Sequence, residues 1–170
     1  MKRCEEFLAT ISQIPRIQAL LNGINGDAPK IECRQCTDQG PEGHARAALF
    51  NDTPATIVLC TNRLETTHLK EALTHELVHA YDFSNKRCNF YSCDGLAYTE
   101  VRAAREAECN RPFPVTWLKD YCIKDAATKS TANIFGPDAH KCVDRVFEEA
   151  NKDESPSVVV AGPSLPPWNS

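Results

Sequence analysis

The sequence predicts an α+β fold in which a small sheet or hairpin packs on a central helix and the C-terminal half is mostly helical. Two strand-like segments, ARAALF at 45–50 and ATIVLC at 55–60, flank the turn-rich NDTP, a pattern typical of a β-hairpin. Residues 64–83 carry apolar side chains at helical spacing and contain neither proline nor glycine, so we expect the central helix there. Further helical patterns cover residues 95–109, 115–129 and 137–152.

The N-terminal segment predicts an amphipathic helix over residues 4–21 that is interrupted at Pro15, because apolar residues recur every three to four positions. The turn-rich run NGINGDAP, residues 22–29, then ends this helix.

The chain has 170 residues and 42% hydrophobic content, which suffices for one core. We therefore expect a single domain over residues 1–152. From Asp153 onward the composition shifts to proline, serine and valine, and this shift predicts a disordered tail over residues 153–170.

The net charge argues against nucleic-acid binding, and the length of the apolar runs argues against a transmembrane helix. A net charge of -4 and a pI near 5.7 argue against direct nucleic-acid binding. Every uninterrupted apolar run is shorter than the roughly 18–20 residues that a transmembrane helix needs, so we expect a soluble or peripheral protein. The start, with Cys4, Glu5 and Glu6 inside its apolar stretch, does not resemble a signal or transit peptide.

Nine cysteines suggest disulfides, and an odd number would leave at least one thiol unpaired. The alternative is a second zinc site in which the pair Cys33 and Cys36 joins Cys88 and Cys93. We favour disulfides or buried free thiols over a second zinc.

The stretch LTHELVHAYD contains the motif His-Glu-x-x-His, formed by His75, Glu76 and His79. Residues four apart lie on one face of a helix, so the two imidazoles can bind a single zinc ion at about 2.0–2.1 Å. Glu76 lies beside that face, where its carboxylate could accept a proton from a water that attacks a peptide carbonyl. The motif therefore predicts one catalytic zinc ion, with Glu76 as the general base.

A third zinc ligand is expected on another element. Asp82 is nearest in sequence, but on a continuous helix it lies about 10 Å from His75 along the axis. It is therefore better suited to orient a zinc ligand or to end the helix than to bind the zinc itself. Glu100 in the next helix is the stronger candidate, and Glu106 and Glu108 are its rivals. Four residues are candidate donors to the oxyanion: Tyr81, Tyr98, Arg102 and His140.

HELVHAYD followed about 20 residues later by TEVRAA resembles the HELxHAxD and ACxEIRAA signature of a family of mitochondrial inner-membrane metallopeptidases. These enzymes mature subunit 6 of ATP synthase, and their vertebrate relatives are called Ku-binding proteins. The resemblance covers roughly residues 4–150 and implies a zincin-like domain with His75 and His79 as zinc ligands, Glu76 as the catalytic residue and Glu100 as the inferred third ligand. Ser84 and Tyr98 stand where the family has cysteines, so its disulfide set is not carried over.

The resemblance implies a zinc endopeptidase peripheral to the inner membrane, on its intermembrane-space side. Its partners would be the precursor of ATP synthase subunit 6 and assembly factors of the membrane sector. The strand ATIVLC is a candidate edge for aligning an extended substrate. Two other functions are a non-proteolytic assembly chaperone and, suggested by the relatives' name alone, a nuclear partner of DNA-repair proteins.

Overall fold

A computed structural model describes residues 2–39, 48–52 and 55–158. The described residues include six α-helices and a three-stranded sheet, which confirms the predicted α+β class and the helical C-terminal half. Within these ranges no helix combines the length and apolar character that crossing a bilayer requires. The helices are α1 (Lys2–Leu8), α2 (Pro15–Gly23), α3 (Leu69–Ser84), α4 (Cys93–Glu106), α5 (Thr116–Phe135) and α6 (Ala139–Lys152), and the strands are β1 (Lys30–Arg34), β2 (Ala48–Asp52) and β3 (Ala55–Cys60).

The N-terminal helical segment is divided earlier than the sequence predicts. Helix α1 ends at Leu8, a short 3-10 turn covers Ile11–Gln13, and α2 begins with Pro15. Proline suits the first turn of a helix, where its missing N–H has no helical partner. Pro15 therefore starts the second helix and does not interrupt a single long one.

The sheet has the order β1-β3-β2. Strands β2 and β3 pair antiparallel with Phe50 opposite Ile57, which confirms the predicted hairpin. Strand β1 was not predicted; it pairs parallel to β3 with Ile31 opposite Ile57. Strand β3, the segment ATIVLC, is consequently the central strand, and the prediction that it offers a free edge to a substrate is wrong.

Two large clusters of buried apolar side chains fill most of the interior, and α4 contributes to both. Ala103 packs in the first, and Ala97, Val101 and Ala104 pack in the second. The first cluster lies among α1, α2, the sheet and α3, and it includes Cys4, Ile17, Leu20, Ile57, Leu59, Leu73 and Leu77. The second lies among α4, α5 and α6, and it includes Ile123, Ala127, Val143 and Phe147.

Four disulfides pair eight of the nine cysteines and leave Cys88 free. The alternative of a second zinc site on four thiolates is wrong, because three of its four cysteines are oxidised. The pairs are Cys4–Cys33, Cys36–Cys60, Cys93–Cys142 and Cys109–Cys122.

Residues 153–158, the start of the predicted tail, are held against the helices. The Arg16 guanidinium donates to the carbonyls of residues 154–156, and Arg105 donates to the Asp153 carbonyl at 2.7 Å. The buried Arg102 donates to the Ser155 carbonyl. Charged donors on backbone carbonyls hold these residues in place despite the shift in composition that suggested disorder. Residues 159–170 lie outside the described residues.

The cysteine pairing predicts a thiol count. Under denaturing conditions without reductant, one cysteine per chain should react with a maleimide, and reduction should raise the number to nine. Intact-mass spectrometry measures both numbers. The Cys88→Ser variant is the control and should give zero before reduction; two or more reactive thiols in that variant would contradict the pairing.

Candidate metal site

Helices α3 and α4 bring three potential metal ligands together. The Nε2 atom of His75 lies 3.5 Å from Glu100 Oε2, and the Nε2 atom of His79 lies 3.6 Å from Glu100 Oε1. One ligand atom from each of the three residues lies within 4.8 Å of the other two. Glu100 lies in the middle of α4, which begins at Cys93.

Hydrogen bonds at Nδ1 orient both imidazoles. His75 Nδ1 lies 2.9 Å from Glu108 Oε1, and because an ionised carboxylate can only accept, Nδ1 is the protonated nitrogen. Thr99 Oγ1 donates to Asp82 Oδ2 at 2.9 Å, so His79 Nδ1, 3.0 Å from the same hydroxyl, donates to it. This tautomer leaves a lone pair on Nε2 of each ring, the atom directed toward Glu100.

Asp82 supports His79 and takes no part in the ligand cluster. Its side chain is fully buried, accepts a hydrogen bond from Arg102 and also accepts the Thr99 hydroxyl. Burial raises the pKa of the Asp82 carboxyl to about 6, while the charge of Arg102 opposes the shift. Asp82 thus remains mostly ionised at neutral pH and fixes Thr99 through that charge.

The donor set fits a divalent cation. Glu100 Oε2 is buried and has no hydrogen-bond partner among the described residues, a costly arrangement for a carboxylate oxygen unless a cation binds it. Burial raises the pKa of Glu100, but the two histidines outweigh burial and lower it. Burial lowers the pKa of His79 to about 4, which keeps that imidazole neutral and able to bind a metal.

His75 has the opposite balance of charges. Burial lowers its pKa, but the carboxylates of Glu108 and Glu100 outweigh burial and raise the pKa well above the usual value. A proton and a metal ion therefore compete for His75 Nε2, and a metal ion bound there would displace the proton.

Glu76 is buried beside these ligands. Burial raises the pKa of its carboxyl to about 7, with a further contribution from the negative charge of Glu100. The backbone N–H of Phe50 in β2 donates to it, which connects this carboxylate to the sheet. A carboxyl group with a pKa near neutrality can both accept and release a proton under physiological conditions.

The other candidate residues lie outside the ligand cluster. Glu106 binds Arg16 at 3.0 Å and Arg105 at 2.7 Å, and Glu108 binds His75 from the side opposite Glu100. Thr99 and Glu108 are the supporting residues that the sequence did not identify as such. The four candidate oxyanion donors have other contacts: Arg102 with Asp82, Tyr98 with Asp153, His140 with the Pro137 carbonyl, and Tyr81 with the guanidinium groups of Arg87 and Arg102.

Residues 2–157 match the model of the peptidase M76 family. The chain is 29% identical to the human mitochondrial inner membrane protease ATP23 homolog over 91% of its own length and 69% of that protein. It is 29% identical to the Xenopus laevis homolog over 74% of its own length and 57% of that protein, and 28% identical to the Aspergillus niger mitochondrial inner membrane protease atp23 over 91% and 71%. No solved structure matches the chain significantly.

Replacing Glu100 should have a larger effect on metal binding than replacing Asp82. The Glu100→Ala variant keeps two imidazoles, too few for stable binding, and should lose its metal on dialysis. The Asp82→Asn variant should retain one ion with affinity lowered about 10–100-fold, as expected for a residue that orients a ligand. Metal analysis and chelator competition measure these effects. Wild-type metal retention by Glu100→Ala would contradict the assignment.

Thr99 should orient His79 through its hydroxyl. The Thr99→Val substitution preserves the shape of the side chain but removes the hydrogen bond, so metal affinity should fall about 10–100-fold. The Thr99→Ser variant keeps the hydroxyl and serves as the matched control. Equal affinities for the valine and serine variants in the same competition assay would show that the hydroxyl has no such role.

Proposed function

The chain belongs to the peptidase M76 family, and on that premise we propose that it is a zinc-dependent endopeptidase whose centre is formed by His75, His79 and Glu100 with Glu76 as the catalytic residue. The convergence of the three ligand atoms beside a buried carboxylate carries this proposal. Two histidines and one glutamate are a known ligand set of catalytic zinc in peptidases.

The Nε2 atoms of His75 and His79 and the Glu100 carboxylate would hold the ion. When bound, zinc supplies Lewis acidity, which polarises a peptide carbonyl and makes a water molecule more acidic. Glu108 and Thr99 keep the two imidazoles in the tautomer and orientation that binding requires.

Glu76 transfers the proton. Its carboxylate accepts a proton from the attacking water and then delivers it to the amine that leaves. A pKa near 7 suits both steps, because acceptance needs the ionised form and delivery needs the neutral form. The Phe50 N–H holds the carboxylate in position.

The outer edge of β2, which pairs with no other described strand, would align the substrate. In an antiparallel pair, backbone groups of alternate residues point to the partner strand and away from it. The Phe50 N–H contacts Glu76 and therefore points away from β3, so by this alternation the backbone groups of residues 48 and 52 would also face the outer edge of β2. An extended peptide that pairs with this edge lies next to Glu76.

The proposed natural substrate is the precursor of ATP synthase subunit 6, which would be cleaved near its N-terminus. Cleavage would take place at the intermembrane-space face of the inner membrane. There the protein would also assist assembly of the membrane sector of ATP synthase. The names of the relatives support a location at the mitochondrial inner membrane. The four disulfides support an oxidising compartment.

The Glu76→Gln substitution tests the catalytic proposal. It keeps the shape of the side chain but removes the base, so hydrolysis should fall about 10²–10⁴-fold while metal content stays at one ion. Cleavage of a purified precursor segment and metal analysis measure the two quantities. The control is Glu71→Gln, the same substitution on the same helix, and should have wild-type activity. Undiminished cleavage by Glu76→Gln would refute the role of Glu76.

The same variant separates proteolysis from assembly. In cells that lack the endogenous protein, Glu76→Gln should fail to process subunit 6 and still support assembly if binding alone is required for assembly. Loss of assembly together with processing would argue that assembly requires proteolysis.

A further inference from the structure

Three phenylalanines form a continuous aromatic wall beside the candidate metal site. The ring centroids of Phe50 and Phe83 lie 5.9 Å apart, and those of Phe83 and Phe90 lie 5.5 Å apart, both in edge-to-face contact. Phe90 also meets the ring of His79 edge to face, with 6.1 Å between centroids. The aromatic wall, defined as Phe50, Phe83 and Phe90, thus extends from strand β2 to a metal-binding histidine.

The hydrophobic cores do not account for this wall. Phe83 and Phe90 are partly exposed and pack against neither buried cluster, whereas Phe50 packs against the first. Their ring contacts join them to each other, to Phe50 and to His79. Partly exposed aromatic rings next to a reactive centre are a common feature of sites that bind apolar groups.

The loop that carries Phe90 is fixed against α4. The Ser92 hydroxyl donates to the Asn89 carbonyl at 2.9 Å and accepts from the Gly95 N–H at 3.1 Å. A Cβ atom on Gly95 would lie 2.0 Å from the Asn89 carbonyl oxygen, so only glycine permits this approach. Phe90 is therefore presented from a fixed backbone, as a specificity-determining residue must be.

We propose that the aromatic wall binds a large apolar side chain of the substrate next to the scissile bond, so that the enzyme prefers peptides with leucine, methionine or phenylalanine at that position. This inference rests on the proposed peptidase function. Phe50 connects the two features: its N–H contacts Glu76 and its ring begins the wall. A peptide aligned along β2 with its scissile bond at Glu76 therefore lies close to the three rings, and covering them removes apolar surface from water.

Paired peptides test the preference. The zinc-loaded full-length protein first digests a peptide library, and mass spectrometry identifies the cleaved bonds. Two fluorogenic peptides are then made from one cleaved sequence, with leucine or alanine at the preferred position. We expect kcat/KM for the leucine peptide to be about tenfold or more above that for the alanine peptide, and we expect Phe90→Ala to reduce this ratio at least about fivefold. Phe90→Leu should largely retain the ratio.

A binding measurement gives a second readout that needs no turnover. In the Glu76→Gln background, the leucine peptide should bind more tightly than the alanine peptide by fluorescence anisotropy, and adding Phe90→Ala should reduce that difference. The control is Tyr91→Ala, which removes the neighbouring, 82% exposed ring and should leave both ratios unchanged.

The outcomes separate this inference from the proposed function. Absence of cleavage by the zinc-loaded wild-type protein would overturn both. Cleavage without a preference for large apolar residues would overturn the role of the wall alone. An equal loss of rate on both peptides in Phe90→Ala, with a lowered melting temperature, would assign the ring to stability and would also overturn the proposal.

Discussion

The site depends first on the buried ion pair between Asp82 of α3 and Arg102 of α4. Both side chains have no exposed surface, and removing either one would leave a charge in the interior, at a cost of about 3–5 kcal/mol. The pair fixes the two helices at the level where Thr99 joins Asp82 to His79. Arg102 further binds the Ser155 carbonyl, so the same charge also anchors the C-terminal segment.

The ion pair matters because no disulfide joins the two halves of the chain. Cys4–Cys33 and Cys36–Cys60 lie within the first 60 residues, and the other two disulfides lie within α4, α5, α6 and the segment joining α4 to α5. The histidines belong to the first half and Glu100 to the second. The distance between them is consequently set by noncovalent contacts between α3 and α4, which include the small residues Ala80 and Ala103 in the first core.

Local sequence patterns predict the parts of the molecule that depend on short-range rules. The spacing of His75 and His79 follows from one helical turn, and the β2–β3 hairpin follows from two apolar segments around a turn. Predicting Glu100 as the third ligand also required the resemblance to a known family, because Glu100 lies on a different helix from the two histidines. The supporting role of Glu108, 33 residues from His75, and the pairing of β1 with β3 depend on tertiary contacts that leave little local signal. The alternation of apolar and charged residues in KIECR is a weak local signal for β1, because the segment is short and highly charged.

The charges of the site couple metal binding to the contact between the two cores. The buried Glu76 and Glu100 and the exposed Glu108 surround two imidazoles, and the negative charges of Glu100 and Glu108 contribute to the raised pKa of Glu76. A divalent cation bound by His75, His79 and Glu100 would offset this repulsion, and its ligands would come from both α3 and α4. Because binding free energy at such a site also stabilises the folded state, metal binding there would strengthen the α3–α4 contact that no disulfide crosses. The proposed peptidase centre and the junction of the two cores would therefore be stabilised by the same interaction.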